Sequence, residues 1–140
     1  GWRLARTTLG NERVNIATGQ RAPLPSGYLD GLAAPVPAEV LAEAGALTAD
    51  ALAFIALSQR LLLRQIAGLP PGAEASVLKV VAAGNAASVR RAVLDWHGAE
   101  SAAAGEPARG YLSVPPLLIG GGTLEIQLNV IGERVLGLPR

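Results

Sequence analysis

Pro116-Leu-Leu-Ile-Gly-Gly-Gly-Thr-Leu-Glu-Ile-Gln-Leu-Asn-Val-Ile-Gly-Glu-Arg-Val-Leu-Gly-Leu-Pro-Arg140 is the stretch on which the fold turns, because one run holds a three-glycine turn, a helix start and a helix stop. Gly120, Gly121 and Gly122 bring backbone freedom without side-chain bulk, so a ligand or another chain can approach the main chain closely. Thr123 stands where an N-cap belongs, and Glu125 lies in the first turn, where a carboxylate complements the positive end of the helix dipole. Leu124, Leu128, Ile131 and Val135 fall at i, i+4, i+7 and i+11, one apolar stripe on a helix. Arg134 in the last turn, Gly137 after it and Pro139 beyond mark the stop. Two readings stay open: a flexible connection with an ordinary cap, or a helix N-terminus whose N–H groups receive a phosphate, as of a nucleotide cofactor. No strand precedes the glycines, so they are not a dinucleotide-binding fingerprint.

The 140 residues make about one domain, enough to bury a single core. Half of them are hydrophobic, but Ala and Leu dominate and aromatics are only 4%, which favours packed helices over a sheet. A net charge of +1 gives no basic field to attract nucleic acid or anionic lipid. The chain has no Cys and one His, so neither a disulfide framework nor a metal site is expected. No run approaches about 18 consecutive apolar residues and no signal peptide is visible, so the expectation is a cytoplasmic protein without a membrane span. Residue 1 is not Met, and the chain reads as a piece of a longer one.

Taken in order, residues 2–18 read as a first helix. The stretch 19–47, with Pro23, Pro25, Pro35 and Pro37, reads as a turn or loop with a short helix around Ala38 to Ala44. Thr48 and Asp50 start a second helix, with Leu52, Ile55, Leu62 and Ile66 inward and Arg60 and Arg64 outward, stopped at Gly68-Leu-Pro-Pro-Gly72. A third runs from Glu74 to about Trp96, with Leu78, Ala82, Val89, Val93 and Trp96 in helical period and inward alanines that permit close packing. Residues 99–115 read as an Ala-, Gly- and Pro-rich loop, and His97 as a surface or packing residue rather than a catalyst. The fold class is all-α, an up-and-down bundle of about four helices.

Glu12 is the informative residue of the first helix. Ala5, Leu9, Glu12 and Ile16 fall at i, i+4, i+7 and i+11, which sets a carboxylate on the stripe that should face inward. It either pairs with Arg13 or Arg6 at the edge of the core, or it stands in a poorly solvated cleft that raises its pKa and makes it a general base.

The run from Ile119 to Arg140 closely resembles the C-terminal signature of the acyl-CoA dehydrogenases, especially an actinobacterial branch. The opening Gly1-Trp-Arg-Leu-Ala-Arg-Thr-Thr-Leu-Gly-Asn-Glu-Arg-Val-Asn-Ile-Ala17 resembles the start of that family's C-terminal helical domain, and Glu74-Ala-Ser-Val-Leu-Lys79 resembles its third long helix. The resemblance makes residues 1–140 that domain. Most of the family carries its catalytic Glu in a Tyr-Glu-Gly-Thr pattern, which falls here on Gly120 to Thr123 and puts Gly121 in place of the Glu. A minority, typified by isovaleryl-CoA and long-chain acyl-CoA dehydrogenases, carries the base on the first helix in a Glu-Arg pair that matches Glu12-Arg13. Two family features are missing: an Arg followed by aromatic and Gly residues that helps bind the flavin pyrophosphate, and a Gln before a glycine-rich turn, where this chain has Asp95-Trp-His-Gly98.

What the resemblance implies is α,β-dehydrogenation of an acyl-CoA thioester with FAD as cofactor. Glu12 would remove the α-proton with Arg13 in support, while the β-hydrogen leaves as hydride to the flavin. Gly120 and Gly121 would lie beside the substrate, and Gly122, Thr123 and Glu125 would meet the flavin nucleotide. The implied partners are an acyl-CoA, an electron-transferring flavoprotein and further subunits of a homo- or hetero-oligomeric dimer or tetramer. The alternative is a non-catalytic subunit, or one half of a mixed assembly, that keeps this domain for oligomerisation.

Overall fold

From Ala38 onward the chain is built of strong helix formers, and they make one helix where the sequence suggested two. The computed structural model describes residues 1, 4, 5, 8, 12, 23–70 and 72–139, with the backbone alone at 100 and 102–104. Between residues 23 and 139 the described residues form α1 (Ser26–Leu29), α2 (Ala38–Ile66), α3 (Glu74–Ala104), α4 (Glu106–Leu112), α5 (Val114–Ile119) and α6 (Leu124–Arg134), and no strand. The all-α class is as expected. Of the first helix, Leu4, Ala5, Thr8 and Glu12 are helical, with Thr8 Oγ1 donating to Leu4 O at 3.1 Å. Arg6, Leu9, Arg13 and Ile16 lie outside the described residues.

α2 corrects the break expected at Thr48. That hydroxyl donates back to Ala44 O at 2.7 Å, four residues earlier, which keeps Thr48 inside the helix instead of capping a new one. The helix starts after Pro37, carries Glu39 in its first turn and runs 29 residues. Its buried stripe also differs from the one expected. Ala44, Ala51, Phe54 and Leu61 are buried, and Ile55 and Leu57 partly so, whereas Leu52, Leu62 and Ile66 stay 56%, 50% and 73% exposed. Apolar residues occur on nearly every side of residues 51–63, so periodicity alone allows more than one phase. Arg60 is exposed as expected, but Arg64 is half-buried and sits 3.6 Å from Glu74 across the turn.

By length and composition α2 is long and apolar enough to cross a bilayer, with a mean hydropathy of 1.7 over its most apolar window, although charges interrupt any unbroken apolar run.

α3 is the helix on which the others pack, touching α2, α4, α5 and α6. It runs antiparallel to α2: Glu74 meets Arg64, Asn85 reaches Leu47 O at 3.5 Å, and Trp96 Nε1 donates to Glu43 at 2.8 Å. Leu78, Val89 and Val93 are fully buried, and Ala75, Ala82, Ala83, Ala86 and Ala92 nearly so, which lets the neighbouring backbones come close. The helix goes past Trp96 to Ala104 with a break at Gly98, whose φ of 65° is a left-handed value that suits glycine.

The loop expected over 99–115 is mostly helix. Pro107 and the pair Pro115-Pro116 occupy the first turns of α4 and α5, where a missing N–H breaks no intrahelical bond. Prolines that read as breakers are here helix starters.

Leu61→Ala is expected to lower unfolding free energy by roughly 2–5 kcal/mol in urea denaturation, while Leu62→Ala, half-exposed next to it, stays within about 1 kcal/mol. The order reverses if the expected stripe is the true one.

Candidate functional site

The candidate site is the turn between α5 and α6, and its shape follows from three residues without side chains. Gly120 closes α5 with its N–H on Pro116 O at 2.9 Å. Gly121 and Gly122 then take φ of 69° and 106°, which other residues rarely adopt. Gly122 N–H bonds Ile119 O at 3.2 Å, and Thr123, extended at ψ 165°, opens α6.

Thr123 holds the N-cap position, but its side chain makes no capping bond to the helix. The Thr123 hydroxyl beside it first, and its own backbone N–H second, hold the exposed Glu125 carboxyl below the usual carboxylate range. The apolar stripe expected on α6 faces outward, with Leu124, Leu128 and Val135 between 44% and 50% exposed.

The residue α6 buries is Gln127, 1% exposed, which sequence reasoning missed. Its Nε2 donates to Gly121 O at 2.9 Å and to Gly122 O at 3.4 Å, while its Oε1 is buried without a hydrogen-bond partner. A Cβ at Gly122 would stand 2.6 Å from that Nε2. On the other flank Lys79, 2% exposed on α3, donates to Leu117 O. Burial pushes its ammonium below the ordinary lysine value, because a low-dielectric surrounding penalises the charged form. Both side chains line a cavity of about 200 Å³ behind the turn, with Val80, Ala83, Gly84, Leu118 and Leu124. The signals were in the sequence: Lys79 is the one cation in the apolar run Val77 to Ala83, and Gln127 lies one turn after Thr123.

The structure thus joins Gly120, Gly121, Gly122, Thr123 and Glu125 in one turn. Glu12 is helical and exposed, as is Ala5 on the same expected stripe, and Arg13 lies outside the described residues. His97 is a packing residue. Its Nε2 lies 3.2 Å from Tyr28 O, and a Cβ at Gly31 would meet its ring at 3.0 Å.

Residues 39–136 match the family model of the acyl-CoA dehydrogenase C-terminal domain. All of the chain aligns at 34% identity with the acyl-CoA dehydrogenase FadE34 of Mycobacterium tuberculosis, of which it spans 20%.

Gly122→Ala is expected to cost roughly 1–3 kcal/mol, from the left-handed backbone and the clash with Gln127, read by thermal or urea unfolding. Lys79 gives a pH signature. Its folded pKa lies below the 10.5 of the free side chain, so between the two the unfolded chain holds more protons and stability rises with pH. The stability gap between Lys79→Met and wild type should therefore shift in favour of wild type as pH rises through that window. A gap that is flat with pH overturns this.

Proposed function

The chain belongs to the acyl-CoA dehydrogenase family, and from that premise we propose that residues 1–140 are the C-terminal helical domain of a flavin-dependent enzyme that desaturates an acyl-CoA thioester between its α and β carbons. The observation that supports the reading is the turn Gly120–Thr123: its sequence resembles the family's substrate loop, with Gly121 where most of the family carries its carboxylate. The base is then Glu12, in the Glu-Arg pair on the first helix. It takes the α-proton, and Arg13 supports its charge.

The residues at the start of α6 accommodate the hydroxyl-bearing part of FAD better than its phosphates. Glu125 keeps a negative charge there, which repels a phosphate but accepts from a ribityl or ribose hydroxyl. Thr123 and Glu125 would hold the cofactor at this point, with Gly122 leaving room. When bound, FAD supplies the acceptor for the β-hydrogen as a hydride. Gly120 and Gly121 lie beside the thioester, where absent side chains let the substrate come within hydrogen-bond reach of the main chain. Electron-transferring flavoprotein is the proposed acceptor. The uncovered leucines of α2 offer surface to other domains or subunits of a dimer or tetramer.

One observation favours a second reading, a non-catalytic subunit or half of a mixed assembly. At Asp95-Trp-His-Gly98, where relatives offer flavin a Gln and a glycine turn, Trp96 is bonded to Glu43 and His97 packs on Tyr28. Those side chains are already engaged inside the domain.

Anaerobic titration of the longer parent protein with a panel of acyl-CoAs separates the two. Wild type should carry FAD and bleach, and Glu12→Gln should bind substrate with bleaching slowed by about 10²–10⁴-fold. A parent without flavin, or a variant that bleaches at the wild-type rate, favours the non-catalytic assembly or another base.

A further inference from the structure

The glycine turn has no side chain of its own to anchor it, and the space behind it is a cavity of about 200 Å³ with mostly apolar walls. Gly121 is buried, and the bond from Gly122 N–H to Ile119 O closes the turn, but neither reaches across that space. Two polar side chains reach in and bond main-chain oxygens at and before the turn. Gln127, from α6, spans Gly121 O and Gly122 O with one amide nitrogen, and Lys79, from α3, takes Leu117 O at the end of α5.

We propose that Gln127 is the positioning residue of the substrate loop, with Lys79 pinning its other end; the role in catalysis rests on the dehydrogenase reading above. A position meant only to fill this cavity wall calls for Leu. A buried amide with its oxygen left unpaired is unfavourable there, so the donating nitrogen is what the site uses. The Gly122–Thr123 peptide is trans, and in a trans peptide C=O and N–H point in opposite directions. Drawing Gly122 O inward therefore turns Thr123 N–H away from Gln127, to the opposite, exposed side of the turn, which the dehydrogenase reading gives to substrate and cofactor. Gly121 and Gly122 take the left-handed φ that this arrangement of carbonyls uses, which glycine adopts readily.

The test uses the flavin-loaded parent protein with Gln127→Leu and Gln127→Met, and with Val80→Ala as a variant of the same cavity wall. Hydrogen exchange at the amides of Gly120 to Leu124, flavin content, melting temperature, kcat and KM are measured on each. The expected result is faster exchange at those amides in both Gln127 variants, with flavin content retained. Their kcat should fall on the order of 10- to 100-fold, with KM changed far less, while Val80→Ala keeps wild-type kcat and loop exchange. Should Gln127→Leu exchange no faster than Val80→Ala at a similar loss of melting temperature, Gln127 merely packs and the proposal falls. Faster exchange in a parent that turns over no acyl-CoA upholds the pin and removes the dehydrogenase reading instead. If Gln127→Leu does not fold, Gln127→Met, of similar length and without the donor, decides by the same readouts.

Discussion

The close approach of α3 to its neighbours is the constraint from which the other features follow. Its inward face alternates Leu78, Val89 and Val93 with a series of buried alanines, and side chains that small bring four other helices onto one axis. A helix so enclosed has little room for charge. Lys79 is there nonetheless, and since a buried ammonium needs acceptors, its bond to Leu117 O ties α5 to the central helix at the threshold of the glycine turn. Core and site are therefore not separate regions. The turn hangs from the most buried element of the domain.

Where local chemistry decided the outcome, the sequence was legible. The start of α3 at Glu74, the start of α6 after Thr123 and the stop near Gly137 are all marked by residues whose backbone preferences act within one turn. The phase of α2 was not legible, because a leucine-rich helix presents several stripes and only a partner selects among them. Nor were α4 and α5: the composition of 99–115 is that of a loop, yet proline at a first helical turn is favourable, and the chain passes through an extended Gly105 directly before α4. Thr48 misled for a related reason. A hydroxyl that can cap a helix can also bond backwards within one, and its surroundings decide which.

The candidate site was half legible. Gly120, Gly121, Gly122, Thr123 and Glu125 stand together at a helix start, as the pattern suggested, but the Glu125 carboxylate there changes what that start offers. A bare helix N-terminus attracts phosphate; one that carries its own ionised carboxylate prefers donors. What the pattern omitted was the support. Gln127 and Lys79 touch main-chain oxygens only, so no spacing rule for catalytic residues finds them, although each is a polar side chain where the helix has no solvent to give it.

Glu12 presents the remaining problem. A carboxylate works as a base near neutral pH only when something withholds water from it, since desolvation is what raises its pKa. Within the described residues Glu12 is exposed, and so are Ala5 on its stripe and the leucines along the outer face of α2. The chain also spans only a fifth of its curated relative. If Glu12 is the base, the surface that dries it comes from beyond these residues, from other parts of the protein or from the acyl-CoA. The glycine turn, by contrast, is held from within the domain by Gln127 and Lys79.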